Sequence, residues 1–324
     1  MLITGGAGFI GSYIAQKYVS EGFAVKVLDD FSQGYVNNIR GLFNHSNFKL
    51  VRGDVRDRDL LQRITADVEV IVHLAAQIHV DKSIVDPKYT FEVNTLGTLN
   101  VLDVALENNI KQVVYASSSE VYGSALSVPM DESHPLNPAS PYAASKAAAD
   151  RLCFSYYNTY GLNVAIVRNF NTFGPRQRST GYGGVIPIFI KRVLQGLPPV
   201  IYGDGKQTRD YMYIMDALRA YDLVIQSGDR MAGRAVNFGA GKEVDINTLA
   251  RTVIRLCGKE GDLEPINVAP RPGEVKRLCA DISLARTQLN FEPEYDLEKG
   301  LSEFIDWFKR YGYEEWTAYA EQMN

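Results

Sequence analysis

The chain has 324 residues, 46% of them hydrophobic and 22% charged, which excludes disordered, fibrous and coiled-coil classes and suits one large domain with a smaller second lobe. A formal net charge of −4 offers no basic field for a nucleic-acid backbone or an anionic membrane, and no stretch approaches the ~20 apolar residues of a membrane helix. A small-molecule partner is expected, with no nucleic acid and no membrane; Cys153, Cys257 and Cys279 show no close pairing, so neither a disulfide framework nor a metal site is expected.

Met1 leads directly into the first predicted strand, Leu2 to Thr4, with no basic segment or apolar signal core, which reads as a cytoplasmic protein. Thr4-Gly5-Gly6-Ala7-Gly8-Phe9-Ile10-Gly11 follows, opening a helix from Ile10 to Ser20. Glycines there let the backbone turn sharply and approach a pyrophosphate held on the helix N-terminus, which makes Gly5, Gly8, Phe9, Ile10 and Gly11 cofactor-binding candidates. A tight structural turn would also require glycine. The second strand, Val25 to Asp29, ends in Asp29-Asp30, and Asp29 stands 18 residues beyond Gly11. A carboxylate at that place accepts hydrogen bonds from both adenosine ribose hydroxyls and repels a 2′-phosphate, favouring NAD over NADP. After the third strand, Phe48 to Val51, Asp54 and Val55 either meet the adenine or cap the helix predicted from Asp57 to Ile64.

Val68 to Leu74 reads as a strand, Tyr89 to Asn108 as a helix and Gln112 to Ala116 as a fifth strand. That strand runs into the polar series Ser117-Ser118-Ser119-Glu120, at the sheet edge where ligands of parallel sheets bind. The helix from Pro141 to Tyr160 carries Tyr142 and Lys146 four residues apart, hence on one face. A neighbouring Lys⁺ and a positive nicotinamide ring would favour the phenolate and make Tyr142 a usable base. Val164 to Val167 completes an alternation of strand and helix that implies an α/β, doubly wound parallel sheet of Rossmann type. From Gly174 the texture turns to Gly-, Pro- and Arg-rich loops, so residues 1–173 are read as the cofactor domain and 174–324 as mainly a substrate lobe, some of whose segments return to the large domain.

These residues resemble the extended short-chain dehydrogenase/reductase family, specifically its NAD-dependent nucleotide-sugar epimerases and dehydratases. The glycine loop, Asp29, His73-Leu74-Ala75-Ala76, Asn94, Ser118, Tyr142 and Lys146, Arg168-Asn169-Phe170-Asn171, Thr208-Arg209-Asp210-Tyr211 and Arg271-Pro272-Gly273-Glu274 all fall in the family's order. The resemblance implies a retained NAD, with Leu74, Ala75, Ala76 and Asn94 joining its site. It implies Tyr142 as the base for the sugar 4-hydroxyl, Ser118 on that oxygen and Lys146 on the ribose. It places His79, Asn171, Val185, Arg209, Arg271 and Glu274 on a nucleotide-diphosphate sugar, and it implies a homodimer built from the helices near Asn94 and Tyr142. Trp307, Phe308 and Trp316 read as packing residues.

Members differ in the fate of the 4-ketone. Rotation and return of the hydride to C4 gives 4-epimerisation; removal of the C5 proton and loss of the C6 hydroxyl gives 4,6-dehydration. Glu120, two residues after Ser118, resembles the dehydratases' base, and His79-Val80-Asp81-Lys82-Ser83-Ile84 resembles their loop. Ser119 stands where the deoxythymidine-diphosphate-glucose dehydratases carry an aspartate acid and the guanosine-diphosphate-mannose dehydratases a serine. The first reading is a 4,6-dehydratase and the alternative a 4-epimerase. A cofactor-sensing regulator is disfavoured, because Tyr142 and Lys146 are both present.

Overall fold

A computed structural model describes residues 1–179, 184–270 and 275–312. Strands β1 (Leu2–Thr4), β2 (Val25–Asp29), β3 (Phe48–Arg52), β4 (Val70–His73), β5 (Gln112–Ala116) and β6 (Val164–Asn169) enter a parallel sheet. The next three strands are β7 (Asn171–Phe173), β8 (Val200–Tyr202) and β9 (Thr208–Tyr213). After them, β10 (Ala235–Phe238) returns from the second half of the chain and pairs with β6, giving the order β10-β6-β5-β4-β1-β2-β3. Two small sheets lie outside the parallel sheet: β7 and β9 with β11 (Glu243–Asp245), and β8 with β12 (Ile266–Val268).

Successive strand residues point to opposite faces, and the two faces carry separate cores. Ile3, Val27, Val72, Val114, Ala165 and Val167 enter one hydrophobic cluster; Leu2, Leu28, Ile71, Val113, Tyr115 and Ile166 enter the other. Helices cover both faces, as a parallel sheet requires. No helix among the described residues is long and apolar enough to cross a membrane.

Two helices position the site. Phe9–Ser20 begins at Gly8, whose missing side chain leaves the first amides without a side-chain cap. Pro141–Tyr160 is capped by Ser140, whose hydroxyl accepts from Ala143 N at 3.1 Å, starts with proline, and stops at Gly161 in the left-handed conformation with φ 72°. The helix expected from Tyr89 to Asn108 is instead composed of Pro87–Phe91, a π-helical turn Glu92–Leu96 and Gly97–Glu107. The wider turn accompanies the inward pull of Asn94, described below.

Candidate active site

Strand order reverses between β1 and β4, and a cavity of about 1060 Å³ opens there along the carboxyl edge of the sheet. That is at the upper end of the roughly 300–1,000 Å³ of ligand pockets, as a long ligand requires. The cavity walls carry the glycine loop, Asp29, Ser118 and Tyr142 together with Asn171, Val185 and Arg209.

At the first end, a Cβ on Gly11 would lie 2.4 Å from the Gly5 carbonyl oxygen, and Gly5 itself sits at φ +68° against the backbone of Ala75. Glycine is therefore demanded by backbone packing at both positions. Asp29 accepts from Ala7 N on one carboxylate oxygen and from Phe31 N on the other, each at 2.8 Å. Burial pushes its carboxyl up to about 6, against the pull of those two amides. Asp29 thus braces the glycine loop and retains acceptor capacity on both oxygens for hydroxyl donors. Uncapped amides at one point and a buried carboxylate at the next strand end fit a dinucleotide lying across the sheet edge.

Asp30 is exposed on the cavity wall and accepts from Ser32 N and Oγ. Asp54 lies on the wall, bound to the Arg56 amide and guanidinium; burial raises its carboxyl, but Arg56 outweighs this and holds it below the usual range. Val55, Leu74, Ala75 and Ala76 line the same wall. Asn94 departs from the expectation of cofactor contact. Its amide accepts from Gln77 N at 2.7 Å and donates to Gln77 O and Ser145 Oγ, both at 2.9 Å, so its polar capacity is spent tying the loop after β4 to the Pro141–Tyr160 helix, and it is absent from the cavity wall.

At the other end of the cavity, Ser118, Ser119 and Glu120 follow β5 in a short 3-10 turn, Ser119–Tyr122, with Ser118 Oγ accepting from Glu120 N at 3.2 Å. Tyr142, Lys146 and all three loop residues line the cavity. Burial pushes the Tyr142 phenol up to about 12; the Ser118 hydroxyl beside it works the other way and the Glu120 charge adds to the rise. The expected depression by Lys146 is absent. The ammonium instead donates to Ala116 O and sits 4.5 Å from the centre of the Tyr115 ring, while burial pulls its own value down to about 8. Desolvation outweighs the other contributions at both groups, so lowering the phenol falls to whatever positive charge a ligand brings.

His73 is structural: it bridges Thr4 Oγ1 at 2.7 Å and Thr98 Oγ1 at 3.0 Å, and burial drives its imidazole down to about 3. His79 reaches the cavity with Nε2 2.6 Å from Gln33 Oε1, which also accepts from Arg178 Nη1 at 2.9 Å. Neither Gln33 nor Arg178 was expected; they come from loops without a motif. Asn171 and Val185 line the cavity wall, and Asn171 Oδ1 is a buried acceptor without a partner among the described residues, as a polar ligand would require. Arg209 lies on the wall and donates to the carbonyls of Thr208 and Val275. Arg271, Glu274 and Trp316 lie outside the described residues.

The family model described as GDP-mannose 4,6 dehydratase matches residues 2–304. A Methanocaldococcus jannaschii protein provisionally named UDP-glucose 4-epimerase is 40% identical over 311 residues, covering 95% of this chain and 98% of that one. A dTDP-glucose 4,6-dehydratase of an Actinoplanes species is 35% identical over 319 residues, covering 95% and 97%. The solved dTDP-glucose 4,6-dehydratase of Streptomyces venezuelae, crystallised with NAD bound, superposes with a TM-score of 0.90 at 33% identity, covering 100% of this chain and 99% of that one.

Proposed function

This chain belongs to the extended short-chain dehydrogenase/reductase family of nucleotide-sugar dehydratases and epimerases, and from that premise we propose that it is an NAD-dependent nucleotide-sugar 4,6-dehydratase. The observation that carries the reading is Glu120: it shares the cavity wall with Ser118 and Tyr142, close enough for its charge to act on the phenol. Relatives named as dehydratases support it. The 40% identical relative named as a 4-epimerase supports the alternative, for which Ser118, Tyr142 and Lys146 would suffice.

The Gly5–Gly11 loop would hold the NAD pyrophosphate and Asp29 its adenosine ribose; NAD would supply the acceptor for the C4 hydride, the donor that returns it to C6 after water is lost, and a positive charge that lowers the Tyr142 phenol. The Tyr142 phenolate takes the proton of the sugar 4-hydroxyl, and the Ser118 hydroxyl donates to the same oxygen as it becomes a carbonyl. Lys146 holds the cofactor ribose. Once C4 is a ketone, the C5 proton is acidic. Glu120 removes it, and Ser119, buried beside the loop, donates toward the departing C6 hydroxyl. Asn171 and Arg209 hold the nucleotide diphosphate, Val185 borders the base, and His79 closes the sugar end. We assign the working form as a homodimer through the helices around Leu96 and Pro141–Tyr160.

The test is a mass spectrum of products from a panel of nucleotide sugars incubated in heavy water. Loss of water with one solvent deuterium gained establishes elimination through C5. An isomer of unchanged mass, formed without exchange, replaces the dehydratase reading with 4-epimerisation.

A further inference from the structure

A buried ion pair stands beneath the catalytic loop and has no place in the chemistry above. Arg168, in β6, forks onto Asp150 of the Pro141–Tyr160 helix: Nε donates to Oδ2 at 2.9 Å and Nη2 to Oδ1 at 3.0 Å. The two residues are 2% and 0% exposed. Burial raises Asp150, but Arg168 and the outer Arg151 outweigh it and keep the carboxyl below its usual range. Stripping water from such a pair offsets most of its attraction, and apolar replacements are frequently no less stable, so stability alone explains it poorly.

Besides contacts to Arg151 and to Glu132 O, the pair grips both ends of one loop. Ser117 Oγ, at the end of β5, donates to Asp150 Oδ2 at 2.7 Å. Tyr122 OH accepts from Arg168 Nη1 at 2.8 Å and donates to Asn237 Oδ1 in β10 at 2.7 Å, with the guanidinium 4.9 Å from the Tyr122 ring centre. Asn237 in turn donates from Nδ2 to Met130 O at 2.9 Å and from its amide to Glu132 Oε1 at 2.7 Å. Between the two grips the chain runs only through Ser118, Ser119, Glu120 and Val121. A span that short, held at both ends by charge-assisted bonds, has little freedom to move its side chains relative to Tyr142.

We propose that the Asp150–Arg168 pair is a positioning clamp that acts through Ser117 and Tyr122 to hold Ser118 and Glu120 against the reacting sugar. This rests on the loop carrying the roles given above, and not on the choice between dehydration and epimerisation. Ser117→Ala and Tyr122→Phe, singly and together, cut the loop from the clamp while leaving the ion pair. With dTDP-glucose and UDP-glucose as substrates, the single-turnover rise of reduced-nicotinamide absorbance reports C4 oxidation. That rate is expected to fall tenfold or more in the double variant, with KM and bound NAD within twofold of the parent. Amide hydrogen exchange across Ser119–Tyr122 should accelerate in the cofactor-free protein. An oxidation rate within twofold of the parent, even with a lowered melting temperature, overturns the clamp; the single variants decide it where the double variant fails to fold. Unaltered oxidation kinetics with C5 exchange retained would sink the clamp alone. C4 oxidation by the parent without C5 exchange would sink the dehydratase reading and leave the clamp to be judged on the oxidation rate.

Discussion

Asp29 illustrates how one residue serves fold and ligand together. It holds the Ala7 amide, and so the glycine loop, while facing the cavity as a desolvated carboxylate whose value is about 6. Ionised, it is acceptor-only and suits two ribose hydroxyls; protonated, it loses its charge and an acceptor. Affinity for NAD is therefore expected to be flat above about pH 6 and to weaken below it, by at most about tenfold per unit. Calorimetric titration between about pH 5 and 7 checks this, and a constant affinity in the parent would remove Asp29 from the ribose contact. Asp29→Asn should bind NAD more weakly and lose the pH dependence. Asp29, Tyr142 and Lys146 were legible because each spacing lies within one strand-turn-helix unit or one helix face. The phenol's upward shift was not, since it arises from burial in the folded chain and not from the neighbour at the fourth position. Arg168 left a trace, a charged residue inside the apolar run Val164–Asn169, but its partner lies on another element.

Among the elements, the Pro141–Tyr160 helix carries the most chemistry, and its first turn sets where the phenol points. Ser140 caps that turn, and the Tyr142 amide donates to Ser83 Oγ at 3.0 Å, linking it to the segment Val80–Val85. Ser140→Ala should cost about 1 kcal/mol of stability, seen as a lower melting temperature. It should also reduce kcat more than KM, because the loosened turn bears Tyr142; an unchanged kcat with a lowered melting temperature would confine Ser140 to a structural cap. β7 to β12 were not read from the sequence, whereas the positions of β1 to β6, each within two residues, followed from β-branched runs and flanking turns. The broken helix around Glu92–Leu96 did not, because a π-turn depends on what Asn94 reaches in three dimensions and local composition does not encode it.

At the scale of the molecule, Leu96 is 52% exposed and Phe154 42% exposed on the helices assigned to the dimer, whereas Ala143, Ala147 and Ala149 are buried within the chain itself. The small residues therefore mainly serve packing inside one copy, and the apolar surface left over is what a second copy would cover. Leu96→Arg is expected to shift the protein from dimer to monomer in light scattering coupled to size exclusion. A parent that is monomeric at micromolar concentration would refute the assignment.

The return of β10 to the central sheet has a consequence for how the protein is made. While the ribosome is still translating residues 174–234, β6 is the outer strand of an incomplete sheet, its hydrogen-bonding edge open to any passing strand. Only after Phe238 emerges can that edge close and Asn237 reach Tyr122. Completion of the central sheet is thus not sequential: its first-translated strands wait on β10 from the second half of the chain.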